Sequence, residues 1–221
     1  MRKLLISLLL IPPTFITAQS SVLDSDQRAK EILEQLAASI NAHVDLTYQF
    51  KLTIAYPETE PEMINGTYQQ RGTNYRLETP GYQFVSNGKS KWVIDVEGKE
   101  IQIHDFVASE GGDIADPQAL LNIYANPHYA YRLLYEGTQH GKEVQIIEFK
   151  PLERTGEMAK ATLTIDKESF QMSSMEVINK DGSKLHLIIE DIQSDMNLPD
   201  DHFIVVAAKF PSFHFEDLRI E

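Results

Sequence analysis

The chain has 221 residues, no cysteine, and 33 acidic against 20 basic residues, a formal charge of −13. That length suits one domain, and the missing cysteine excludes a disulfide framework, thiolate-bound metal and a cysteine nucleophile. A surface this negative is repelled by nucleic acid and by anionic headgroups, so no nucleic-acid partner is expected, and it favours a soluble monomer.

The N-terminus reads as an export signal. Arg2 and Lys3 are basic, Leu4 to Ile11 is a short apolar run, Pro12 and Pro13 break it, and Ile16-Thr17-Ala18 ends on a small residue. Cleavage after Ala18 is expected, leaving 19–221 as a single mature domain. The run is too short to span a bilayer, which needs a helix of about 20 residues. A lipid-attachment box would need a cysteine at the cleavage point. In a Gram-negative cell the product would therefore be free in the periplasm.

Asp24 to Ala42 predicts an amphipathic helix, with Ala29, Ile32, Leu33, Leu36, Ala37 and Ile40 on one face and Asp24 or Ser25 as cap. His43 to Tyr56 follows as a long strand. Val44, Leu46, Tyr48, Phe50, Leu52, Ile54 and Tyr56 alternate with Asp45, Thr47, Gln49, Lys51 and Thr53, which gives one dry and one wet face. Strands are then expected over 63–71, 75–79, 82–86, 91–96 and 100–106. Asn87-Gly88 marks a hairpin between two of them. Asp116-Pro117 starts a second helix as N-cap and N1 residues, with Ala119, Leu120, Ile123 and Tyr124 on its apolar face. Strands resume over 129–135, 143–150, 160–166, 170–179 and 184–192, and His202 to Phe210 is a last strand-like piece before an extended tail. About ten or eleven strands with two helices and no linker or repeat mean one α+β domain.

No catalytic constellation emerges. Neither G-x-S-x-G nor H-E-x-x-H occurs. Gly88-Lys89-Ser90 matches the end of a phosphate loop, but Gln83 stands where the upstream glycine belongs, and the segment is a hairpin turn. His104-Asp105 and His214 with Glu216 lack two further ligands at metal spacing. The chain is read as a non-enzyme without metal or cofactor. What it has is apolar volume: Tyr48, Phe50, Tyr56, Tyr68, Tyr75, Tyr82, Phe84 and Trp92 come from consecutive strands. Packed tightly they make a core; left open they line a cavity. Met158, Met172 and Met175 suit either core filling or a flexible greasy site.

Several segments together resemble the LolA family, periplasmic carriers that move lipoproteins to the outer membrane. The signal and opening helix match the family's beginning. Val44-x-Leu46-x-Tyr48-x-Phe50 is similar to its first strand, and Gly66-x-Tyr68, Arg71 and Tyr75-Arg76-Leu77-Glu78 to the block that follows. Val85-Ser86-Asn87-Gly88-Lys89-Ser90-Lys91-Trp92 resembles its V-S-D-G-K-x-x-W hairpin, Asp116 to Leu121 its lid helix, and Lys209 to Arg219 its D-x-R tail. Gly72, Leu77 and Phe50 stand where the family has Pro, Trp and Gln.

The resemblance implies an unclosed antiparallel β-barrel with helices forming a lid over an apolar cavity. Leu46, Tyr48, Phe50, Leu52, Ile54, Tyr68, Tyr75, Leu77, Phe84, Trp92 and Ile94 would line that cavity from the sheet, and Leu120 and Ile123 from the lid. Arg71 or Arg76 would supply the polar contact that closes the lid. The implied partners are acylated lipoproteins, an inner-membrane lipoprotein-releasing transporter and an outer-membrane acceptor. The alternative is a periplasmic lipid- or lipoprotein-sensing regulatory module of the same fold, which usually carries a second C-terminal domain. An unrelated secreted hydrolase or structural sheet protein is a third reading.

Overall fold

A computed structural model describes residues 26–106, 129–152 and 156–219. Helix α1 (Gln27–Asn41) buries Ala29, Ile32, Leu33 and Leu36, the face its spacing predicts. Its cap is Asp26, whose carboxylate accepts from the backbone N–H groups of Arg28 and Ala29. Asp24 and Ser25 lie outside the described residues, as do the export signal and the second helix with Leu120 and Ile123.

Twelve strands form one sheet: β1 (Leu46–Ala55), β2 (Glu62–Arg71), β3 (Asn74–Glu78), β4 (Tyr82–Ser86), β5 (Ser90–Asp95), β6 (Glu100–Asp105), β7 (Tyr129–Gln139), β8 (Lys142–Pro151), β9 (Met158–Asp166), β10 (Met172–Asn179), β11 (Lys184–Ser194) and β12 (His214–Asp217). Their order is β12-β6-β5-β4-β3-β2-β1-β11-β10-β9-β8-β7. The long first strand is central, antiparallel to β2 on one side and β11 on the other. The sheet is antiparallel except at β12, which runs parallel to β6. It does not close, since β12 and β7 are its two edges. This is the unclosed α+β sheet that was expected, with one α-helix among the described residues and one or two strands more.

The two faces of the sheet are covered differently. On the inner face α1 packs over β7 to β10, joining Tyr131, Ile147, Phe149, Leu163, Ile165, Met175 and Val177 in one core. The β7 edge is blunted by the helix start: the Asp26 N–H donates to Tyr131 O (2.9 Å), and the Leu133 N–H donates to the Asp26 carboxylate (3.1 Å). An edge strand satisfied this way is a poorer template for another chain.

On the outer face the chain after β11 crosses under β1 and lies back over β2 to β6 as a strap. The crossing is pinned by the buried carboxylate of Asp45, which accepts from Met196 N (2.8 Å) and Leu198 N (2.9 Å). The strap differs from the strand expected over His202–Phe210. It forms two short 3-10 helices, Asp200–Phe203 and Ala207–Lys209, and the strand comes later, as β12. The Leu198 and His202 carbonyls accept from Arg71 and Arg76, while those of Pro199, Asp201, Val206 and Ala207 accept from backbone N–H groups three residues on, which closes short turns in place of a ladder. Phe210, Phe213 and Phe215 pack on Val85, Trp92, Ile94 and Ile101.

Candidate functional site

Helix α1 covers only part of the inner face. Its C-terminal end meets the β9–β10 turn, where the Ser39 hydroxyl donates to Ser169 O (3.2 Å). Toward the opposite ends of the strands the described residues leave an apolar cavity of about 340 Å³, bounded by β1 to β4 and by β10 and β11. A hollow of that size is at the small end of ligand pockets, which run from roughly 300 Å³ upward.

Alternation along β1 places Tyr48, Phe50, Leu52 and Ile54 on the cavity wall. Tyr68, Leu77 and Phe84 join them because the register sets Tyr48 opposite Tyr68, Tyr68 opposite Leu77 and Leu77 opposite Phe84. Seven of the expected residues thus meet at one place. Leu46 and Tyr75 lie on the same face but are buried in the core beyond the cavity, with Tyr48, Tyr68 and Tyr75 in a tilted ladder at 6.0 Å between ring centres.

Trp92 and Ile94 do not reach the cavity. They pair across from Val85 and Gln83, one residue out of phase with Phe84 and Tyr82, and so point to the outer face under the strap. Their expected place on the lining is corrected by this parity. The rest of the wall comes from β10 and β11: Met172 and Met175, which the sequence left open between core and greasy site, and Val177, Leu185, Leu187 and Ile189, which were not anticipated. The alternation of β11 was the available signal, but it could not say that β11 pairs with β1. Ile64, Thr79 and Tyr82 complete the wall, and the two methionines serve as both core and lining.

Arg71 and Arg76 are also on the outer face. Arg71 donates to Leu198 O (2.6 Å), pairs with Asp200, and sits 5.4 Å from the Phe203 ring centre. Arg76 donates to His202 O (2.9 Å) and pairs with Glu78 at 3.2 Å. Both arginines fasten the strap. The lid-closing role expected for either is corrected, because β2 and β3 aim them away from the cavity.

Among the described residues, the lining contains no ionisable group other than the phenols of Tyr48, Tyr68 and Tyr82. Burial pushes the Tyr48 phenol up to about 12, so it stays neutral at physiological pH. A wall of this kind can accept hydrocarbon.

The model of the family described as "outer membrane lipoprotein carrier protein LolA" matches residues 67–205. No curated protein matches the sequence. Among solved structures, an uncharacterised conserved protein from Thermus thermophilus superposes with a TM-score of 0.60 at 12% identity, covering 86% of this chain and 99% of its own. A DUF1329 family protein from Desulfovibrio piger gives 0.51 at 12% identity, covering 83% and 99%. At such identities these two structures speak for the fold alone.

Proposed function

The chain belongs to the LolA family of outer membrane lipoprotein carrier proteins, and from that premise we propose that it is a periplasmic carrier that buries lipoprotein acyl chains in the apolar cavity. In this reading it collects cargo from an inner-membrane lipoprotein-releasing transporter and passes it to an outer-membrane acceptor. Its export signal, residues 1–18, is removed on the way. Carriage requires no covalent step.

The observation that carries the reading is the 340 Å³ cavity walled by alternate residues of six strands. Each buried methylene contributes about 0.8 kcal/mol, so burying about ten is worth about 8 kcal/mol, the scale of micromolar affinity. That is tight enough to cross water and loose enough to release.

The test is titration of the purified protein with a fluorescent acyl probe or an acylated peptide. Binding is expected at one site per chain. Leu52→Gln should weaken it without unfolding the protein, whereas Trp92→Leu, on the other face, should change stability and leave affinity alone. A folded protein that binds no acyl probe would refute the reading.

A further inference from the structure

We infer that Phe50 and Gly66 together determine which acyl chains the cavity admits, the ring of Phe50 lying over the place where residue 66 has no side chain. This rests on the carrier reading above and goes beyond it to chain selectivity.

Phe50 and Gly66 are directly opposite in the β1–β2 register. The inward pairs on either side, Tyr48 with Tyr68 and Leu52 with Ile64, have side chains on both strands. Only the row between them is half empty, and the ring of Phe50 occupies the vacant half. A Cβ at position 66 would stand 2.8 Å from Cε1 of that ring, closer still to Cζ, and 2.7 Å from the Glu78 carbonyl oxygen. Both are well inside van der Waals contact.

Glycine within a strand is costly. Gly66 does not have a left-handed φ, so its backbone does not require glycine. What glycine supplies at this point is room. A second irregularity acts on the same side chain: the β1–β11 register shifts between Gln49 and Phe50, and such bulges re-aim the residue they carry. Two departures from regular pairing converge on one ring, which is only 6% exposed yet forms part of the cavity wall. Laid down on Gly66 the ring leaves the hollow open, and lifted off it the ring would fill that space.

The pair could serve sheet stability alone, since an aromatic ring covering a cross-strand glycine stabilises a sheet. Chain selectivity separates the two roles. Dodecanoyl and octadecanoyl fluorescent probes are titrated against wild type, Phe50→Leu, Gly66→Ala and the double variant, with a thermal melt of each. Phe50→Leu deepens the hollow and should shift the affinity ratio toward the longer chain by roughly tenfold, the low end for one misfit methylene in an apolar pocket. Gly66→Ala should shift it the other way, and Phe50→Leu in that background should return it toward wild type. If Gly66→Ala does not fold, Phe50→Leu carries the test. A folded Phe50→Leu protein that binds both probes at the wild-type ratio overturns the inference and leaves the carrier reading standing. Failure of wild type to bind either probe overturns the carrier reading, and the inference with it.

Discussion

Removing Arg71 or Arg76 should cost stability and leave cargo affinity untouched. Arg71→Ala loses a hydrogen bond from a charged donor to the partly buried Leu198 carbonyl, worth about 1.5–3 kcal/mol. It also loses a cation–π contact with Phe203, worth about 0.5–1 kcal/mol. Its ion pair with Asp200 adds little, because the Asp200 side chain is 91% exposed. The loss should be about 2–4 kcal/mol, which for a chain of this size lowers Tm by about 4–16 °C. Arg76→Ala should cost a comparable amount through the His202 carbonyl. Trp92, the sole tryptophan, is buried beneath the strap, so urea unfolding followed by its fluorescence reads the strap directly. An acyl-probe titration on the same samples reads the cavity. A variant with wild-type stability but a severalfold change in probe affinity would refute the strap assignment and restore these arginines to control of the cavity.

Two further outcomes follow from the same contacts. Asp26→Ala removes both the cap of α1 and the acceptor for the Leu133 N–H, and should cost about 2–3 kcal/mol. The Leu133 N–H, followed by those of Arg28 and Ala29, outweighs burial and holds the Asp26 carboxyl below its ordinary value. A carboxyl lowered on folding stabilises above its unfolded pKa and loses that contribution as pH falls through the folded value. The gap between wild type and Asp26→Ala, measured by thermal melts, should therefore narrow below about pH 4. His202 shifts on a different side chain type: burial first, then the nearby Arg76 charge, lowers its pKa, while its Nε2–H donates to Gln69 Oε1 (2.8 Å). The folded protein favours neutral His202, so its contribution is present above the unfolded value of about 6.5 and is lost as pH falls through the folded value. Strap stability read by Trp92 fluorescence should decline from neutral pH toward about pH 5, and His202→Asn should flatten that decline.

How much of this was legible depended on whether a strand shows water one face or none. β1 has polar residues on its outer side, so alternation by itself identifies Tyr48, Phe50, Leu52 and Ile54 as one wall. β4 does not: Phe84 and Val85 are adjacent, both apolar, and buried toward opposite faces. Period two states that they diverge but not which one meets the cavity, and Trp92 and Ile94 inherited the wrong parity from that ambiguity. The strap was misread for another reason. The contacts that shape Leu198 to Phe203 come from Arg71 and Arg76, more than a hundred residues upstream, and no local pattern announces them. Gly66 was visible as part of a motif, but the ring that requires it could be identified only from cross-strand register.

The two faces of this sheet are filled to different extents. Both present aromatic and branched side chains at strand spacing, and on the outer face the chain's own tail supplies Phe203, Phe210, Phe213 and Phe215 to cover them. On the inner face, the described side chains stop short of filling the space beyond α1. At about 24 cal/mol per Å³ of unfilled core, a hollow of 340 Å³ forgoes on the order of 8 kcal/mol, comparable to the whole stability of a typical domain. A protein can keep such a hollow only if its stability is secured elsewhere. Here that is done at two remote places, the α1 core over β7 to β10 and the strap clamped by Arg71, Arg76 and Asp45. The forgone energy is of the size a buried acyl chain would return, so the space that the described residues leave and the affinity expected for cargo have the same physical origin.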